Sequence, residues 1–271
     1  MAETQHAPPV AAAFDAFLVP PMFLPWAEEL VRRADPQPGE RVLDVACGSG
    51  AVTLLLRPLV GAAGSVVGLD VSADMLGLAR AKAAAAGLDV EWHEASALEL
   101  PFGAGSFGLV LCQQGLQFFP DRGRGAAEMR RMLVLGGRAA VACWRALDAQ
   151  PIFRALFPAV ERHLGVPLVN RPTYSLGRAG ELRALLEGAG FRRVEVEAVS
   201  KTVRFPDPGR WAATWLGVSQ DAQDALARLD RAERERLVAR VSADVGPVIR
   251  EHTDGGMLAM PTHTYIAMAS T

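Results

Sequence analysis

Residues 41–50 read Arg-Val-Leu-Asp-Val-Ala-Cys-Gly-Ser-Gly, and every other inference about this chain starts there. Val42 to Ala46 form a short apolar strand, the turn after it holds Gly48 and Gly50, and Ala51 to Leu59 continue as a helix. A glycine turn between a strand and a helix start brings backbone N–H groups close to a ligand, because no Cβ stands in the way. Twenty residues past Gly50, a second strand, Ser65 to Leu69, ends at Asp70. An acid at that spacing is placed to accept hydrogen bonds from the two hydroxyls of a ribose. The pattern therefore implies a ligand that contains a nucleoside.

The glycine pattern narrows the choice. A dinucleotide site usually reads G-x-G-x-x-G, but here Gly48-Ser49-Gly50 runs on into Ala51-Val52-Thr53 without the third glycine. An acid, Asp44, also lies inside the first strand. Asp44-Val45-Ala46-Cys47-Gly48-Ser49-Gly50 followed by Asp70 resembles the class I S-adenosylmethionine (SAM)-dependent methyltransferases of the small-molecule type. That resemblance implies an α/β, doubly wound fold, with a mostly parallel seven-stranded sheet of the Rossmann-like methyltransferase kind. It also implies SAM as cofactor, with Asp44, Ala46, Cys47, Gly48, Gly50, Asp70, Val71 and Met75 as contacts.

Composition sets bounds on function. Half of the 271 residues are apolar, 21% are charged and the net charge is −2. Such a balance gives no support for a nucleic-acid partner, which needs a basic face. Cys47, Cys112 and Cys143 are odd in number and lack metal spacing; they read as small buried residues in a reducing compartment. The first 25 residues lack the basic start and apolar core of a signal peptide, and no apolar run reaches the ~20 residues that span a membrane. The expectation is a cytoplasmic enzyme without a membrane partner.

Along the chain, residues 1–12 are Ala- and Pro-rich and expected to be mobile. Phe14 to Phe23 is aromatic and broken by Pro20 and Pro21, and Leu24 to Ala34 reads as an amphipathic helix. In the resembling family a leader like residues 1–35 packs over the cofactor; covering the sheet is the alternative. Ser72 is placed to cap a helix that runs towards Gly87. Met75 then lies where it can pack on an adenine or in the core. After a third strand, Val90 to His93, the family shows an acid that binds the adenine amino group. Here Ser96 stands in its place, followed by Ala97; a serine hydroxyl can accept that bond without charge assistance. His93 reads as a strand-end residue.

Phe107 to Cys112 is a continuous apolar strand, as expected for a parallel sheet covered on both faces. The loop Gln113-Gln114-Gly115-Leu116-Gln117-Phe118-Phe119-Pro120-Asp121 follows it at the ligand edge and resembles that of small-molecule methyltransferases. By that resemblance the backbone near Cys112 and Gln113 holds the methionine end of SAM. Gln117 contacts cofactor or substrate, or caps a helix. Arg122 to Leu133 is the next helix, Leu135 to Arg138 a turn, and Ala139 to Trp144 the fifth strand.

Residues 36–145 thus read as the SAM-binding core, continued by 177–206 and by a final strand, Met257 to Met268 within 256–271, which the resemblance implies is antiparallel. Two insertions, 146–176 and 207–255, leave the ends of the fifth and sixth strands as a helical lid. Phe153, Phe157, His163, Tyr174, Trp211 and Trp215 either line an acceptor pocket there or form the lid's own core.

Methyl transfer is an in-line displacement in which the protein supplies orientation and a dry cavity. His163, His252 and His263 are the candidate bases; none is paired by the sequence with an acid, so no catalytic residue is assigned, and no metal motif occurs. The leading expectation is methylation of a small molecule, with oxygen preferred over carbon or nitrogen on the family's base rate, in secondary metabolism. The alternatives are a SAM-binding enzyme of the same fold that rearranges or cyclises its substrate, and an NAD-dependent dehydrogenase.

Overall fold

The apolar runs of the sequence become the central strands of one sheet. A computed structural model describes residues 10–165, 172–219, 222 and 226–271. The strands are β1 (Arg41–Val45), β2 (Ser65–Asp70), β3 (Glu91–Glu94), β4 (Phe107–Gln113), β5 (Leu133–Trp144), β6 (Arg192–Phe205), a two-residue β7 (Thr253–Asp254) and β8 (Met257–Ser270). Their order is β3-β2-β1-β4-β5-β8-β6, with β7 pairing β8 at its start. Strands β1 to β5 run parallel, and β8 is inserted antiparallel between β5 and β6. This is the doubly wound, mostly parallel arrangement expected from the sequence, with the short β7 as an addition to its seven strands.

Alternation along each strand feeds two cores. Val42, Leu109, Leu111 and Ala142 face one core, whereas Leu43, Val45, Val110 and Cys112 face the other. The first core is completed by α2 (Leu24–Ala34) and α3 (Ala51–Val60), together with α6 (Pro151–Leu164), α8 (Trp211–Val218) and α9 (Arg231–Glu251). The second is completed by α5 (Arg122–Met132) and α7 (Ala179–Gly188). Between β2 and β3, α4 (Ala73–Ala85) starts at Ser72, whose hydroxyl accepts the Met75 N–H at 3.3 Å as an N-cap. Helix α9 starts with a full capping box, Asp230 and Glu233 each satisfying the other's backbone N–H.

The leader departs from expectation. Of residues 1–12, expected to be mobile, 1–9 lie outside the described residues, and Val10 to Ala12 are helical as the start of α1 (Val10–Leu18). Pro20 and Pro21 do not break the chain: they occupy the opening of a π-helical turn, Val19–Phe23, where missing N–H donors cost little. Residues 10–34 therefore form one helical run of 25 residues, long and apolar enough by length and composition to cross a membrane. Its inner face packs on the sheet. Trp26, Ala27 and Leu30 are fully buried, and the Trp26 indole N–H donates to Thr262 Oγ1 on β8 at 3.1 Å.

Leu135 to Arg138, expected as a turn, lie within β5, where the pairing with β4 shifts register between Phe107 and Leu109. Of the stretch Val166 to Tyr174, residues 166–171 fall outside the described residues; Pro172–Tyr174 form a 3-10 turn. Insertion α6 leaves the carboxyl end of β5, and α8 and α9 lie between β6 and β8. Gln150 locks the first insertion to the sheet, donating to the His263 carbonyl at 2.7 Å and accepting the His263 N–H at 3.2 Å.

Candidate functional site

Strands β1, β2 and β4 all end on the same edge of the sheet, and a cavity of about 640 Å³ opens there. Its volume lies within the range of small-molecule sites, roughly 300–1,000 Å³. Two non-glycine residues on its wall hold left-handed backbone: Ala46, with φ +58° at the end of β1, and Gln114, with φ +54° at the end of β4. Such conformations cost about 1–3 kcal/mol each and persist where the surroundings enforce them. The enforcing contact is the approach of the two strand-end loops. A Cβ at Gly115 would lie 2.6 Å from the Ala46 Cβ and 2.9 Å from the Cys112 Sγ.

One half of the cavity is polar and built on backbone. The Asp70 carboxylate is half-buried and accepts the Gly48 N–H at 2.8 Å and the Ser72 N–H at 2.9 Å, tying the glycine turn to the start of α4. Gly48 itself is left-handed, and a Cβ there would meet nothing within 4 Å. Asp44 is buried and accepts from Thr53 Oγ1 at 2.6 Å, while its Oδ1 has no partner. Burial, opposed by the Thr53 bond and reinforced by the Asp70 charge, pushes the Asp44 carboxyl up to about 7. Val71, Met75, Ser96 and Ala97 complete this half. The Ser96 hydroxyl oxygen accepts the Leu98 N–H at 3.1 Å, and the loop is pinned from behind by Glu128, which accepts the Leu100 N–H at 2.9 Å.

The other half is apolar. Phe14 and Phe23 of the leader, Trp144 at the end of β5, Phe153 and Phe157 of α6, Tyr174 and Trp215 face it. Phe153 is the hub, with ring centroids of Phe157, Tyr174, Trp211 and Trp215 at 5.7 to 6.1 Å. Burial pushes the Tyr174 phenol well above its ordinary value, so it stays neutral. The leader roofs both halves. Asp15 of α1 accepts from the Ser49 hydroxyl and pairs with Lys82 of α4, which also reaches Ser49 Oγ at 3.3 Å.

Of the residues expected from the sequence, Asp44, Ala46, Cys47, Gly48, Asp70, Val71, Met75, Ser96, Ala97 and Gln113 line the cavity. Gly50, Cys112 and Gln117 do not. Gly50 sits behind the turn as the N-cap of α3. Cys112 faces the second core because neighbouring strand residues point to opposite sides. Gln117 is buried in the 3-10 turn Leu116–Phe118. Cys47 and Cys112 are held protonated by burial, the second up to about 12, so neither is poised as a nucleophile.

The candidate bases lie elsewhere. His163 pairs with Asp244 at 2.9 Å, His252 bonds the Val248 carbonyl at 2.9 Å, and His263 bonds Ser200 Oγ at 2.7 Å on the sheet. No histidine among the described residues lines the cavity, and these residues hold no cluster of three potential metal ligands. Trp211 packs behind Phe153 rather than facing the space. Gln114, Gly115, Trp144 and Phe118 are wall residues that the sequence did not single out.

Residues 42–137 match a family model described as a methyltransferase domain. A demethylmenaquinone methyltransferase from Bacillus cytotoxicus is 31% identical over 214 residues, which is 73% of this chain and 86% of that protein. The chain belongs to the class I SAM-dependent methyltransferases. Other relatives, at 40% identity, are matched over only 44% of their length, so the chain spans about half of the curated relatives in that group. Among solved structures, a putative methyltransferase from Bacillus halodurans aligns with a TM-score of 0.58 at 21% identity, covering 90% of this chain and 97% of that one. A [4+2]-cyclase, SpnF, has the same fold (TM-score 0.53, 21% identity, 92% and 80% covered).

SAM, the cofactor of this family, fits the polar half. The Asp70 carboxylate faces the space, the glycine turn leaves it open, and a buried Asp44 oxygen is without a partner.

Proposed function

We propose that the protein transfers the methyl group of SAM to a small, planar, apolar aromatic acceptor of the phenol or hydroquinone class. The observation that carries this reading is the single cavity with two unlike halves: a carboxylate-and-glycine half on β1 and β2, and an aromatic half under the leader and α6. When bound, SAM supplies a methyl group on a sulfonium, whose displacement leaves S-adenosylhomocysteine.

The residues of this chain then have separable tasks. Asp70 takes the ribose hydroxyls. Val71, Met75, Ser96 and Ala97 wall the adenine, and Asp44, Ala46, Cys47 and the backbone at Gln113 surround the methionine end. Residues 146–176 and 207–255 act as the lid, and the aromatic rings orient the acceptor and keep water out. With no histidine on the described wall, a base is not required of the protein if the acceptor ionises readily. A ring carbon made electron-rich by its hydroxyls and a phenolic oxygen are both acceptor atoms of this kind. The demethylmenaquinone specificity named for the Bacillus relative favours an aromatic acceptor.

The test is product mass with methyl-deuterated SAM and a panel of phenols and hydroquinones. A gain of one labelled methyl per product, with stoichiometric S-adenosylhomocysteine, is expected. A product of unchanged mass points instead to rearrangement or cyclisation in the same pocket, and no turnover across the panel overturns the aromatic-acceptor reading.

A further inference from the structure

Two glutamines stand where the halves of the cavity meet. Gln113 ends β4, Gln114 follows it in the bend, and both line the space. Gln113 Nε2 donates to the Phe23 carbonyl at 2.8 Å, next to the Phe23 and Trp144 rings. Gln114 Nε2 reaches across the end of β5 to Thr264 Oγ1 on β8 at 3.2 Å. Both Oε1 atoms are buried and have no partner.

For Gln113 the amide orientation is fixed by chemistry. A backbone carbonyl only accepts, so the nitrogen must face Phe23 and the carbonyl oxygen must be the free end. For Gln114, the left-handed backbone and the N–H bond to the Ala142 carbonyl at 2.8 Å hold the residue in place. Buried acceptors without partners are uncommon in native proteins and need an explanation. An acceptor-only atom calls for a donor, and among the described residues none reaches Gln113 Oε1.

We propose that Gln113 and Gln114 are specificity-determining residues that read the hydroxyl groups of the acceptor. The Gln113 carbonyl oxygen takes one O–H, the Gln114 amide makes the second contact, and together they set which ring position faces the methyl group. This rests on the aromatic-acceptor reading above and deepens it. A site built around substrate hydroxyls rejects an isostere that lacks them, because its own polar atoms would stay unpaired.

The experiment measures binding to the full chain loaded with S-adenosylhomocysteine, by quenching of the cavity tryptophans, with dihydroxynaphthalene and its isostere difluoronaphthalene as probes. Wild type should prefer the diol by at least about 30-fold, and Gln113→Met or Gln114→Met should reduce that preference to under about 5-fold. Calorimetric affinity for S-adenosylhomocysteine should stay within about threefold of wild type in Gln114→Met, and circular dichroism shows that both variants are folded. Equal binding of both probes to wild type would overturn the role of the glutamines while leaving the aromatic-acceptor reading intact. A Gln113→Met variant that keeps the preference but loses at least tenfold in S-adenosylhomocysteine affinity would also overturn it, by assigning the free carbonyl to the cofactor's ammonium. Failure of either probe to bind a protein that takes S-adenosylhomocysteine normally would overturn the aromatic-acceptor reading itself.

Discussion

The two halves of the cavity are built by different means. On the β1–β2 side, ligand-facing groups are backbone atoms and carboxylates whose positions follow from a few adjacent residues: Gly48 and Asp70 are joined by one hydrogen bond, and Ser72 by another. On the β5–α6 side, the wall consists of rings contributed by the leader, by β5 and by insertions far apart in the chain. The first design holds a fixed shape with little packing. The second holds its shape only because Phe153, Phe157, Tyr174 and Trp215 pack on one another. Perturbations should therefore separate the halves cleanly, except at the seam.

The largest effect is expected in the aromatic half. Phe153→Ala removes the hub ring and should cost about 3–5 kcal/mol of stability. Chemical denaturation measures that loss, and SAM affinity of the folded fraction should change by no more than threefold. A parallel loss of SAM affinity would show that the halves are not independent. At the seam, Gly115→Ala places a methyl against Ala46 and Cys112 and should cost about 1–3 kcal/mol. This variant should lose SAM affinity and acceptor affinity together, as read by calorimetry and tryptophan quenching.

In the polar half, Asp44 gives a pH signature. Its folded-state value, raised from 3.8 to about 7, means that the folded protein binds the proton more tightly than the unfolded chain. The stabilisation is complete below about pH 4 and is lost as pH rises through about 7, by at most about 1.4 kcal/mol per pH unit. Stability of wild type relative to Asp44→Asn should therefore fall across that window; a flat difference would mean that Asp44 is charged throughout.

The smallest effect is expected at the roof. Asp15→Ala frees Ser49 and Lys82 but removes a partly exposed ion pair worth at most about 1 kcal/mol. Faster amide exchange confined to residues 10–23, with little change in overall stability, is the expected readout.

This contrast also explains what the sequence revealed. The glycine turn and the apolar strands are local patterns, each carried by a short run of consecutive residues, and the place of Asp70 at the end of β2 follows from its spacing to that turn, so they were legible directly. Gln114 and Trp144 were not, because the place of the first on the wall depends on its left-handed backbone and that of the second on the leader rings packed beside it. Neither was the fate of the histidines: His163 finds Asp244 across α6 and α9, a pairing 81 residues apart that no spacing rule reveals. Pro20 and Pro21 misled for a different reason. Two adjacent prolines usually end a helix, but at the start of a π turn their missing donors are harmless. Cys112 and Gln113 separate by strand alternation alone, which is readable only once the end of β4 is known.

The central claim is that the polar half is a SAM site organised by Asp70. Calorimetric titration of wild type and Asp70→Ala with S-adenosylhomocysteine and with NAD tests it most directly. The account predicts micromolar binding of S-adenosylhomocysteine to wild type, a loss of about 100-fold or more in the variant as ribose contacts and the Gly48 anchor disappear together, and no binding of NAD. Binding of NAD in place of S-adenosylhomocysteine, or an affinity for S-adenosylhomocysteine that Asp70→Ala leaves unchanged, would contradict it.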